Sequence, residues 1–141
     1  MALHVVARTG DVDAMTQLLD GGAAVDETMV DGATPLYVAC QNGHVDAARL
    51  LLDKGAEVDR AKEDGETPLF IACEHGHVDA ARLLLEKGAE ADRARKDGAT
   101  PLGVACWYEH DDVEELLRAN GARVNEVGEE SEAEFDDECD Y

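Results

Sequence analysis

The chain has 141 residues, 45% hydrophobic but only 4% aromatic, enough for one core built from Ala, Leu and Val. Such a composition suits closely spaced helices better than a β-sandwich rich in aromatic and β-branched residues. The formal net charge of -21, from 33 acids against 12 bases and with no concentrated basic patch, argues against nucleic acid and anionic membrane surfaces as partners.

The opening, MALHVVARTGDVD, has no charged segment leading into a long apolar run, and nothing in the chain approaches the roughly 18 apolar residues of a membrane span. MALHVV lacks the glycine that myristoylation requires, and Cys139 stands third from the end, out of register with a prenylation box. These features predict a soluble, monomeric, intracellular protein, cytoplasmic or nuclear.

Organisation appears at Thr34-Pro35-Leu36, which recurs at Thr67-Pro68-Leu69 and Thr100-Pro101-Leu102 with a spacing of 33. A fixed period of this size marks stacked repeats. Residues 34–66 and 67–99 are identical at 24 of 33 positions. Upstream, Leu3, Ala7, Gly10, Val12, Leu18, Leu19, Gly22 and Val25 lie one period before Leu36, Cys40, Gly43, Val45, Leu51, Leu52, Gly55 and Val58.

Each block predicts two helices. Thr34 is an N-cap and Pro35 fits the first turn, so a short helix runs over about 35–42 with Leu36, Ala39 and Cys40 on its apolar face. Gly43 ends it, and a second helix buries Val45, Ala48, Leu51 and Leu52 while Asp46, Arg49 and Asp53 face solvent, until Gly55 caps it. The polar stretch from Ala56 to Gly65 reads as a projecting finger. One helix pair cannot bury its own apolar face, so stability must come from stacking.

The blocks GATPLYVACQNGHVDAARLLLDKGAEVD and GETPLFIACEHGHVDAARLLLEKGAEAD closely resemble the ankyrin repeat consensus. The resemblance extends over residues 1–125 as four repeats, about 1–28, 29–61, 62–94 and 95–125. It implies an all-α solenoid of stacked helix–turn–helix pairs joined by short β-hairpin fingers. The first repeat has Met1-Ala2 where Thr-Pro would stand, which fits either an N-terminal cap or a longer array cut short. The last replaces the Arg49-type and Leu52-type positions with Glu115 and Arg118, a polar C-terminal cap.

Catalytic and metal chemistry find no carrier in the residues. Cys40, Cys73 and Cys106 recur at the repeat period and form a ladder, too far apart for disulfides and without the paired spacing of a zinc site. His44, His77 and His110 also recur, and the resemblance implies that each hydrogen-bonds across the turn between its two helices. His75 and His77 form a pair that nothing else completes as a metal site, and the only serine is Ser131. A non-enzymatic protein without metal or cofactor is expected.

Comparison of the blocks separates scaffold from surface. Differences that change chemical class fall at Gln41/Glu74, Asn42/His75, Glu63/Lys96 and Glu66/Ala99. They lie at first-helix ends and in the fingers, the concave surface that ankyrin-like proteins use for partners. At the same helix ends the last repeat carries Trp107 and Tyr108, which either anchor a partner or close the end of the core, covered by Phe135 or Tyr141. Asp31, Glu63, Asp64, Glu66, Lys96 and Asp97 are expected to set the finger electrostatics. The expected function is binding of a basic or mixed-charge protein, as an adaptor or as an inhibitor that covers an enzyme or transcription factor.

Residues 126–141 hold nine of the 33 acids and no base, which predicts an extended, disordered tail that aids solubility or engages a basic partner. Within it, Ser131 followed by Glu132 and Glu134 resembles an acid-directed phosphorylation site.

Overall fold

The computed structural model describes residues 2–122. The expectations for the acidic segment 126–141 and for Ser131 lie outside the described residues. Among those described there are eight helices: α1 (Ala2–Thr9), α2 (Val12–Asp20), α3 (Pro35–Gln41), α4 (Val45–Asp53), α5 (Pro68–Glu74), α6 (Val78–Glu86), α7 (Pro101–Trp107) and α8 (Asp111–Ala119). Odd-numbered helices pack against one another in chain order, even-numbered helices do the same, and each odd helix packs on the even helix that follows it. The result is two parallel rows of helices, an all-α solenoid.

Local chemistry sets the helix starts. The hydroxyls of Thr34, Thr67 and Thr100 accept from the amides of Tyr37, Phe70 and Gly103 at 3.2, 3.1 and 3.0 Å, and proline fills each first turn. In α2 the Asp11 carboxylate accepts from Ala14 N at 3.1 Å. The second helices of the later repeats begin at His44, His77 and His110, whose side chains cap nothing in their own helix.

The core runs between the two rows. Leu36, Leu69 and Leu102 repeat there, with Ala39, Ala72 and Ala105 beside them and Leu51, Leu84 and Leu117 from the second row, all fully buried. Each buried leucine contributes about 1.5–3 kcal/mol, and the alanines let the helix backbones approach closely. Cys40, Cys73 and Cys106 lie buried in the same layer. Burial pushes the Cys40 thiol up to about 12, which holds it protonated and inert.

The fingers depart from the expected β-hairpins: no described residue lies in a strand. Each finger is a tight turn closed by Met29 N to Ala33 O at 2.9 Å, Lys62 N to Glu66 O at 2.9 Å and Arg95 N to Ala99 O at 2.8 Å, with a second bond inside it from Gly32 N to Met29 O, Gly65 N to Lys62 O and Gly98 N to Arg95 O at 2.9, 2.9 and 2.8 Å. Single bonds from Glu63 N to Asp31 O at 3.0 Å and from Lys96 N to Asp64 O at 2.9 Å join neighbouring fingers. One rung per junction is too few for a strand ladder.

Candidate functional site

The ends of the first helices are held by the next repeat. The Nε2 of His44, His77 and His110 lies 2.8, 3.1 and 3.0 Å from the carbonyl oxygens of Arg8, Gln41 and Glu74. A carbonyl only accepts, so Nε2 carries the proton in each bond. This corrects the expectation of a bond across each histidine's own turn: the bond reaches back 36 residues into the preceding repeat. The rings also cover the turn glycines. A Cβ at Gly10, Gly43 or Gly76 would meet the following repeat's histidine at 2.7 to 2.8 Å, and all three glycines have positive φ. At the equivalent place in the last repeat stands Glu109, with φ 61°.

A second ladder runs along the loops. The Asp26 carboxylate accepts from Glu57 N at 3.2 Å and Asp59 does the same for Glu90 N at 3.2 Å. Partial burial raises both carboxyls above their usual range, and the accepted amide bonds oppose that rise.

The finger aspartates have a structural task. Asp31, Asp64 and Asp97 accept from the amides two residues on, Ala33, Glu66 and Ala99, at 3.1, 3.0 and 3.1 Å, which closes each turn. All three stay exposed, as do Glu63 and Lys96 at the tips. Arg95 grips Asp97 through two bonds of 3.0 and 2.8 Å, which holds the Asp97 carboxyl below its usual range.

Glu66 is placed differently from the expectation of a finger surface charge. It is 7% exposed, accepts the Tyr37 hydroxyl at 2.6 Å and pairs with Arg95 Nη1 at 2.9 Å. Lys62 lies 5.0 Å above the Tyr37 ring and Arg95 5.0 Å above that of Phe70. Burial, followed by the Glu66 bond, raises the Tyr37 phenol, so it serves as a donor throughout the ordinary pH range. A hint existed in the sequence: where Tyr37 becomes Phe70 one repeat on, Glu66 becomes Ala99, so hydroxyl and acceptor disappear together.

Gln41, Asn42, Glu74 and His75 lie at the first-helix ends, with Asn42 and His75 exposed and Gln41 and Glu74 half-buried. The Asn42 amide also caps its own helix, donating to Val38 O at 2.9 Å. The His75 and His77 rings meet edge to face at 5.9 Å. Trp107 and Tyr108 are 62% and 50% exposed, and Tyr108 stacks on His110 with centroids 6.1 Å apart. Sequence reasoning missed Val30, a finger tip 94% exposed, and Val5, 54% exposed on α1 where its sisters Val38, Ile71 and Val104 are buried.

The family model described as Ankyrin repeats (3 copies) matches residues 1–62 and 59–127. The chain belongs to the ankyrin-repeat family. No curated protein matches it.

Ankyrin repeats are generally protein–protein interaction modules, and the family is typically non-enzymatic. In this ankyrin stack the candidate positions form two lines. Finger tips supply one, in the order Val30, Glu63, Lys96, and first-helix ends supply the other, in the order Gln41, Glu74, Trp107. Hydrogen bonds between neighbouring repeats hold the backbone at Gln41 and Glu74 in one line and at Glu63 and Lys96 in the other, so those side chains are offered on a rigid frame. No described helix is long and apolar enough to cross a membrane. No group of three or more His, Cys, Asp or Glu among the described residues is placed to hold a metal ion.

Proposed function

We propose that this ankyrin-repeat chain binds a protein of basic or mixed charge across its finger tips and first-helix ends, with Trp107 and Tyr108 as the anchors. The observation that carries this reading is the exposure of two adjacent large rings at a first-helix end, where the inner repeats present Gln41, Asn42, Glu74 and His75. Exposed Trp and Tyr supply wide, rigid contact area at low entropic cost and dominate interface energetics. Asp31, Glu63, Asp64, Lys96 and Asp97 form a charged rim that steers the partner. Glu66, committed to Tyr37 and Arg95, drops out of the binding set.

The test is capture of the partner by wild-type chain and by Trp107→Ala/Tyr108→Ala, followed by isothermal titration with the purified partner. The double variant is expected to bind more weakly by over about 2 kcal/mol with unchanged helicity. Equal affinity would overturn the site. Assay of the captured partner's own activity separates an inhibitor, which suppresses it, from an adaptor, which does not.

A further inference from the structure

The fold already displays how it holds a cation. In two successive repeats a first-helix ring receives a cationic side chain from the next finger: Lys62 over Tyr37 and Arg95 over Phe70, each at 5.0 Å. A carboxylate completes both arrangements, since Glu66 lies 2.9 Å from Arg95 and 3.9 Å from Lys62. The last repeat carries Gly103 at that interior ring position and places its rings outward, at Trp107 and Tyr108.

Exposed acids follow the outward rings directly in the chain. From Asp97 to Leu117 the chain has no Lys or Arg, while Glu109, Asp111 and Asp112 follow the rings directly and are exposed. The platform is also preorganised. Tyr108 stacks on His110 at an interplanar angle of 26°, and His110 is anchored at 3.0 Å to the Glu74 carbonyl. Ring faces attract cations through their quadrupole, and neighbouring carboxylates add charge and hydrogen-bond acceptors.

Building on the protein-binding reading above, we propose that the Trp107–Tyr108 edge receives an arginine from a basic segment of the partner protein. Its guanidinium stacks on the rings and its N–H groups donate to the carboxylates of Glu109 and Asp111. Arginine fits better than lysine because the guanidinium is planar, less strongly hydrated and able to stack while its edge donates.

The chain supplies its own reporter, since Trp107 is its only tryptophan. The full chain is titrated with a hexapeptide of alternating Gly and Arg and with its lysine and citrulline counterparts, while Trp107 emission is followed. Saturable change with the arginine peptide is expected, with the uncharged citrulline peptide at least about tenfold weaker and the lysine peptide about threefold weaker. Glu109→Gln/Asp111→Asn is expected to weaken arginine binding several-fold. Asp13→Asn/Glu86→Gln, which removes equal charge at exposed sites elsewhere, should leave it unchanged.

Equal response to arginine and citrulline peptides would overturn the proposal, as would equal weakening by the two charge-removing pairs. A partner whose capture depends on Trp107 and Tyr108, combined with silence of Trp107 toward the arginine peptide, would defeat the arginine assignment alone. Capture that is indifferent to Trp107→Ala/Tyr108→Ala defeats the binding reading itself.

Discussion

The Tyr37 hydroxyl donates to Glu66 Oε1 at 2.6 Å across 29 residues of sequence, tying a first helix to the finger that follows it. The same carboxylate holds Arg95 one finger further on, so three repeats meet at one buried charge.

Breaking that junction is costly in one direction only. Glu66→Ala strands the buried Tyr37 hydroxyl and leaves Arg95 to Asp97 alone, and is expected to destabilise the fold by about 2 kcal/mol. Tyr37→Phe alone should cost about 1 kcal/mol. Combining the two, which copies the Phe70/Ala99 arrangement, should cost clearly less than the sum in urea titrations. Strict additivity would refute the coupling.

Gly43 and Gly55 both have positive φ, at 74° and 100°, but only Gly43 lies under a histidine ring. Gly55→Ala should cost about 1 kcal/mol from backbone strain. Gly43→Ala must also push away His77 and break its bond to Gln41, for a total of about 2–3 kcal/mol. Thermal melts of the two variants measure the difference, and identical shifts would contradict the ring contact.

Burial lowers the His77 pKa from the ordinary 6.5, and the histidines His75, His110 and His44 lower it further, while its bond to Gln41 opposes the shift. The neutral ring is therefore favoured in the fold. Its contribution is present above pH 6.5 and is lost as pH falls through the lower folded value. Stability is expected to decline as pH falls below about 6.5, and His77→Gln, which keeps a donor but does not titrate, should flatten that slope. An unchanged slope would remove His77 as its source.

Cys40, Cys73 and Cys106 are buried, and burial raises the Cys40 and Cys73 thiols far above neutrality. Native protein should leave all three unmodified by iodoacetamide at pH 8, whereas urea-unfolded protein reacts at each, as mapped by mass spectrometry. Modification at native-state rates typical of free cysteine would show that the ladder opens.

Much of the architecture was legible because its determinants are local. The Thr-Pro starts, the apolar spacing of each helix and the glycines at turns act within a few residues, and they recur every 33 positions. The exposure of Trp107 was equally legible, since its sister positions hold Gln41 and Glu74. Val5 was harder: its residue type matches buried sisters, and only the lack of a described helix packed on that side of α1 leaves it uncovered.

The sequence by itself determined the period, the helix pairs, the faces that enter the core and the residues that vary at the edge. Only the tertiary structure decided which groups meet between repeats: His77 with Gln41 across 36 residues, Asp59 with Glu90 across 31, and Tyr37 with Glu66 across 29. The physical reason is that periodicity fixes where a side chain leaves its own helix, whereas its partner depends on how far and at what angle the next pair is stacked. That offset turned Glu66 from an expected surface charge into a buried junction.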